Sequence, residues 1–230
     1  MKLLVLGGMH GNEPLGIELV RQLKQKPIPG VAAMIANPRA VRGAVRFTES
    51  DLNRSFGTQF PGTYETRRAK RLASVCRQYD MVLDFHNTQA ADNDCSFVGP
   101  TAKPKLFDLA AKINLKRCVM ADYDCINKAC DNVLSVEISL NSPQNSPEYW
   151  YDQLRVMDMP GKAGKLECHR YRRRVTWAEQ EALGLNWRPF EPISDKEKRA
   201  LGIDGIIVPI FVGSRFTEYY ATLISLESDI

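Results

Sequence analysis

The sequence lacks the features that would assign it to a membrane, to nucleic acid or to a cysteine-built metal cluster. Nowhere in its 230 residues do apolar side chains run to the ~18 consecutive positions that a membrane span needs. Its 31 Lys+Arg against 27 Asp+Glu leave a net charge of only +4, which calls for neither a nucleic acid nor a lipid surface as partner. The local basic runs Arg67–Arg71 and Arg170–Arg174 read as solvated faces. The cysteines (Cys76, Cys95, Cys118, Cys125, Cys130, Cys168) form no CxxC pair, and Cys118, Cys125 and Cys130 fit no structural zinc spacing. The apolar opening Met1–Leu6 imitates a signal peptide but stops at Gly7-Gly8, with His10 and Glu13 following and no small-residue cleavage site. The expectation is therefore reduced thiols in a cytoplasmic protein. There is no GxSxG elbow, no GxxxxGK[ST] loop, no clean GxGxxG, no internal repeat and no low-complexity segment.

What is present is a globular balance, 44% hydrophobic and 25% charged, which excludes a disordered chain, a coiled coil and a collagen-like repeat. Short apolar runs at Lys2–Leu6, Val31–Ala36, Met81–Phe85 and Val133–Leu140 read as buried strands. Between them, helical spacing predicts helices over Pro14–Lys24, Glu65–Tyr79 and Lys105–Ile113, the first with a proline suited to its opening turn. Strands alternating with helices predict an α/β fold: a mixed, mostly parallel sheet with helices on both faces. After Leu140 the composition changes. Residues 141–147 are turn-rich, and Leu166–Tyr171, Gly205–Val212 and Tyr219–Leu226 are β-like. The division expected is a catalytic domain over 1–155 and a small β-rich C-terminal domain over 156–230.

The chain has three histidines, His10, His86 and His169. His10 follows the first strand in Gly7-Gly8-Met9-His10-Gly11-Asn12-Glu13, and His86 ends the third in Leu83-Asp84-Phe85-His86-Asn87. Both fall at the carboxyl edge of the expected sheet, where ligands bind. Glu13 stands three residues after His10, which would bring both to one side of a turn. Two imidazoles and a carboxylate suit a catalytic zinc with an open position. Asp84, two residues before His86 on an extended segment, points the same way and could orient it. On spacing alone, a chance HxxE with histidines on a polar rim is equally open, and Gly7-Gly8 could instead cradle a phosphate. His169, beside Cys168, reads as structural.

A further segment adds Asn37-Pro38-Arg39-Ala40-Val41 and Asp51-Leu52-Asn53-Arg54-Ser55-Phe56. With GGMHGNE before it and DFHNT and VEIS after it, the sequence resembles the aspartoacylase and succinylglutamate desuccinylase family, distant relatives of the zinc carboxypeptidases. The resemblance covers the first 140 residues or so, with the four motifs in order. It implies a zinc carboxypeptidase-like fold holding one Zn²⁺ per chain on His10, Glu13 and His86. It also implies Glu137 as general base and Arg46 as the group that polarises the scissile carbonyl and steadies its oxyanion. Asn53 and Arg54 match the pair that grips the substrate carboxylate. The activity implied is hydrolysis of the amide bond of a small, anionic N-acyl amino acid. A metallocarboxypeptidase acting on peptides and a non-catalytic zinc-binding protein are the alternatives, and a homo-oligomer is left open. Where relatives carry a further arginine ahead of the base, this chain reads Asn127-Lys128-Ala129, which makes Lys128 the stand-in. The glycine expected shortly after the base is replaced by Ile138-Ser139-Leu140. Tyr219, or its neighbour Tyr220, is matched to a substrate-contacting tyrosine of the C-terminal part.

Overall fold

A computed structural model of the chain describes residues 2–57, 61–157, 164–213 and 219–226. Strand β1 (Leu3–Gly7) is buried along its whole length, as a parallel strand covered on both faces must be. The chain turns at Gly8, whose φ of +69° lies in the left-handed region that glycine reaches without strain. Helix α1 (Pro14–Gln25) then runs back over the strand, burying Leu15, Ile17, Leu19, Val20 and Leu23. It can lie that close because a Cβ on Gly7 would fall 2.0 Å from the Gly16 carbonyl oxygen. Strand β2 (Val31–Ile35) and helix α2 (Pro38–Gly43) follow, with a 3-10 turn at Leu52–Arg54 before helix α3 (Tyr64–Cys76).

Next come β3 (Met81–Thr88), β4 (Cys95–Val98), α4 (Lys105–Lys112), β5 (Arg117–Met120), α5 (Ile126–Ala129), β6 (Val133–Ser139) and α6 (Pro147–Val156). The C-terminal part adds β7 (Glu167–Thr176), α7 (Trp177–Leu183), α8 (Asp195–Leu201), β8 (Ile207–Ile210) and β9 (Tyr219–Leu226). The nine strands among the described residues form one sheet in the order β2-β1-β3-β6-β4-β5-β7-β9-β8. β2, β1, β3 and β6 are mutually parallel, as are β4, β5 and β7. The β6–β4, β7–β9 and β9–β8 pairs are antiparallel. The expected α/β class with a mixed, mostly parallel sheet is what forms.

Alternation along the strands sorts the core into two faces. Leu3, Val5, Leu83 and Phe85 face α1, α4 and α6, where Trp150 packs edge-on against Phe85. Leu4, Leu6 and Val82 face α3 and α5. The boundary expected at 155/156 falls at the end of α6, and the strands beyond it extend the same sheet. A cluster around Trp187, Tyr220 and Leu223 lies within the C-terminal part. Another joins Phe97 and Val119 to Val208, Ile210 and Ile224 across the boundary. No helix among the described residues is long and apolar enough to cross a membrane.

Candidate functional site

The carboxyl ends of β1, β3 and β6 open into a cavity of about 600 Å³. His10 enters it from the turn after β1, and His86 from β3. Strand register sets His86 directly beside Glu137 of β6. Glu13, at the N-cap position of α1, lies between the two imidazoles. Its Oε1 is 2.6 Å from His10 Nδ1 and its Oε2 is 3.0 Å from His86 Nδ1. One donor atom from each of the three residues lies within 4.8 Å of the others, and all three residues are buried.

The opposite ring nitrogens are held by two further carboxylates. His86 Nε2 is 2.8 Å from Asp84 Oδ2, and His10 Nε2 is 3.1 Å from Asp51 Oδ1. An ionised carboxylate at Nε2 keeps a proton there and turns the Nδ1 side inward. This is the arrangement by which metal-ligating histidines are oriented. A lone pair at Nδ1 beside a carboxylate oxygen is repulsive unless positive charge lies between them. The donor set thus fits a divalent cation of zinc's ligand preference.

The electrostatics follow from this crowding. Burial opposes charge on His10, but the Glu13 carboxylate and the Asp51 hydrogen bond outweigh it and raise the imidazole above its ordinary range. Burial likewise opposes charge on His86, while Asp84 and Glu13 lift it further. For Glu13 and Asp51, burial is overcome by the histidines, and for Asp51 also by Arg46 and Arg54. Both carboxyls are held well below the usual carboxylate range. Glu137 behaves in the opposite way. Burial, reinforced by the Glu13 carboxylate, pushes it up to about 7 against the pull of His86, His10 and Arg46. Among the described residues its carboxyl makes no hydrogen bond or ion pair.

Arg46 reaches the cavity from the loop after α2. Its Nη2 donates to Asp51 Oδ2 at 3.1 Å, and its Nη1 lies 3.5 Å from Glu13 Oε1. The neighbouring 3-10 turn is capped by Asp51, which accepts from Asn53 N. The turn presents Asn53, whose Oδ1 accepts from Ile126 N, and Arg54, whose guanidinium lies 4.8 Å over the Tyr123 ring. Arg54 Nη1 is buried without a hydrogen-bond partner. Tyr219 lines the same cavity.

Lys128 does not join them. It sits at the surface in α5 and pairs with Asp122 at 3.0 Å, while its neighbour Asn127 turns inward and donates to Phe97 O and Val133 O. Four residues cannot make a helix that presents both, and the amide takes the inner side. In its place Arg174 of β7 lines the cavity, lying over the rings of Tyr123 and Tyr219. Sequence reasoning missed Arg174, Tyr123 and Asp51. Only Asp51 carried a local signal, through its place in Asp51-Leu52-Asn53-Arg54.

Residues 1–131 match the family model described as the succinylglutamate desuccinylase/aspartoacylase catalytic domain. The chain is 36% identical over 114 residues to the rat (Rattus norvegicus) N-acyl-aromatic-L-amino acid amidohydrolase (carboxylate-forming), covering 41% of this chain and 36% of that protein. It is 32% identical over 129 residues to a probable aspartoacylase of Nostoc sp., covering 49% of this chain and 44% of that protein. The chain thus spans well under half the length of these curated relatives. Among solved structures, the succinylglutamate desuccinylase of Chromobacterium violaceum superposes with a TM-score of 0.74 at 15% identity, covering 99% of this chain and 85% of that one. Murine aminoacylase 3 superposes with a TM-score of 0.69 at 21% identity, covering 99% and 95%. Both likenesses show the fold.

Proposed function

Since the chain belongs to the succinylglutamate desuccinylase/aspartoacylase family, we propose that it is a zinc-dependent hydrolase cleaving the amide bond of a small N-acyl amino acid. The observation that carries this reading is the convergence of His10, Glu13 and His86 in a cavity also lined by Arg46, Arg54 and a Glu137 that is unpaired among the described residues. His10, Glu13 and His86 would hold the metal, which when bound supplies Lewis acidity toward the carbonyl and toward water.

The remaining work falls to the chain's own groups. Glu137 takes a proton from the attacking water and returns it to the leaving amine. A carboxyl pushed up to about 7 suits both transfers near neutrality. Arg46 meets the negative charge that develops on the carbonyl oxygen, an interaction stronger in the transition state than in the ground state. The Arg54 guanidinium and the Asn53 amide receive the carboxylate of the amino acid. Arg54's unmatched buried Nη1 gives that carboxylate a donor already stripped of water. Tyr219 closes the substrate side. The six free cysteines, five of them buried, support a reducing, cytoplasmic setting, and the family supports an anionic small-molecule substrate.

The test is Glu137→Gln. We expect zinc to bind at one per chain as in the wild type, while turnover of N-acetyl-, N-formyl- or N-succinyl-amino acids falls by roughly 10²–10⁴. Wild-type rates in that variant would remove Glu137 as the base. Hydrolysis of short peptides but of no acyl amino acid, under the same zinc loading, would turn the reading to a carboxypeptidase.

A further inference from the structure

The sheet has two edges, and the chain treats them differently. At one edge β8 is closed by the chain itself. The carbonyl of Ile207 accepts from Ile193 N at 3.0 Å and that of Pro209 from Phe190 N at 2.8 Å, while Pro209 has no N–H to offer. At the other edge stands β2, Val31-Ala32-Ala33-Met34-Ile35, which carries no charge, proline or glycine. Its residues are half-buried throughout. Folded proteins ordinarily blunt such an apolar edge with charge, proline or a covering segment.

The register against β1 tells which backbone groups of β2 face outward. Leu3 is paired with Val31, and Leu3 N donates to Gly30 O at 2.9 Å. In a parallel pair this makes Ala32 and Met34 bond to β1, while Val31, Ala33 and Ile35 turn their N–H and C=O groups away from it. Two of these outward groups are used within the chain: Val31 N donates to Ile28 O at 3.0 Å, and Ile35 O accepts from Arg68 Nη2 at 3.0 Å. Among the described residues the other four, Val31 O, Ala33 N, Ala33 O and Ile35 N, make no hydrogen bond.

These four groups are complementary to themselves. A second β2 laid antiparallel, with Ala33 on the two-fold axis, exchanges both bonds between the Ala33 residues and joins Ile35 N of each copy to Val31 O of the other. Every open donor then meets an open acceptor. The groups that would come next in this ladder, Val31 N and Ile35 O, are the two already in use. A slipped register would set open groups against the turn at Ile28 or the Arg68 guanidinium, so these contacts also fix the alignment. The side chains agree. Val31, Ala33 and Ile35 pack on one core cluster and Ala32 and Met34 on the other, and the antiparallel pair continues each apolar face onto its own kind.

We propose that β2 is the interface of a symmetric dimer, in which a second copy of this chain pairs with it and carries the sheet across the two-fold axis. The inference stands apart from the hydrolase reading, because β2 lines no part of the cavity.

The experiment joins sedimentation velocity of the full chain, over a wide range of concentration, to amide hydrogen exchange read at β2. Wild type should pass from monomer to dimer as concentration rises, and Ala33 N and Ile35 N should gain protection over the same range. Ala32 N and Met34 N, bonded to β1 in both states, should not change. Ala33→Pro removes the central donor, and an edge strand tolerates proline where its N–H faces outward. Symmetry removes both central bonds at once, so dimerisation should weaken on the order of 10- to 100-fold. Circular dichroism checks that the variant folds; if it does not, exchange at Ala33 and Ile35 in the wild type decides alone. A chain that stays monomeric at every concentration overturns the proposal and leaves the edge to a strand of another protein. A dimer whose β2 amides stay unprotected, or whose affinity survives Ala33→Pro, has its interface elsewhere and overturns it equally.

Discussion

His10 is held at both ring nitrogens, by Glu13 at Nδ1 and by Asp51 at Nε2, and Asp51 also accepts from Arg46 and caps the turn that presents Asn53 and Arg54. One carboxylate thus sets the tautomer of a proposed zinc ligand and steadies the proposed oxyanion donor. Asp51→Asn keeps the size but loses the charge that favours a proton at Nε2. Zinc affinity in this variant should fall roughly 10–100-fold by chelator competition. Unchanged affinity would reduce Asp51 to a helix cap. At this scale the sequence was informative where spacing is short. His10 and Glu13 are three residues apart, and Asp84 and His86 are two apart on a strand, so periodicity alone suggested their shared sides. Asp51 lies 41 residues from His10, and no local pattern reports that contact. The basic runs show the same limit. Read as solvated faces, they include Arg68, which donates to Ile35 O and Ala36 O at the end of β2, and Arg174, which lines the cavity.

Among the elements, the loop that carries Arg46 and Asp51 has little regular structure of its own, and the start of α3 holds it: Tyr64 N donates to Glu49 Oε2 at 2.7 Å, and one side chain gathers most of the other bonds. Glu65, buried in the first turn of α3, accepts from Thr48 N and Oγ1, Glu49 N, Ser50 N and Asn37 Nδ2. Burial alone would raise its pKa, but the Thr48 and Asn37 hydrogen bonds prevail and hold it below the ordinary glutamate value. A depressed carboxyl stabilises the fold above its unfolded pKa, and that contribution disappears as pH falls through the folded one. Glu65→Gln should therefore cost about 1–3 kcal/mol at pH 7. The gap from wild type should narrow as pH falls below the ordinary glutamate range, read from urea midpoints at neutral and acid pH. A gap constant with pH would assign the loss to packing rather than charge.

Element by element, apolar periodicity located β1, α1, β2, α3, α4, β6 and β9 to within a few residues, because each buries one continuous stripe or run. β3 extends three residues beyond the expected Phe85, through His86, Asn87 and Thr88, since a strand's site-bearing end is polar and breaks the pattern. The four-residue strands β4 and β5 were too short to register a period. Helices α6 and α8 carried cap signals, Ser146-Pro147 and the Ser194–Glu197 capping box, that a reading by apolar runs passes over.

For the whole molecule, the fold class follows from alternating strands and helices, but the strand order does not. It is set by pairings between segments far apart in sequence, such as β7 against β5. That pairing, together with a core cluster joining Phe97 and Val119 of β4 and β5 to Val208, Ile210 and Ile224 of β8 and β9, crosses the boundary expected at 155/156. A sheet that continues across a boundary, with a core beneath it, couples the two sides energetically, so we propose that residues 156–230 form a unit that unfolds together with the rest. The tryptophans report on both sides. Trp150 is buried against Phe85 in the first part, and Trp187 packs with Tyr220 in the second. Variants keeping only Trp150 or only Trp187, the others replaced by phenylalanine, should each unfold in urea in one transition that circular dichroism follows at the same midpoint. Adding Leu223→Ala, which empties a fully buried position in β9, should cost roughly 2–5 kcal/mol and lower the Trp150 midpoint as much as the Trp187 midpoint. If only the Trp187 signal moved, the C-terminal part would be an independent domain resting against the first. The cavity wall that carries Arg174 and Tyr219 could then open without unfolding the turn and strand that carry His10, Glu13 and His86.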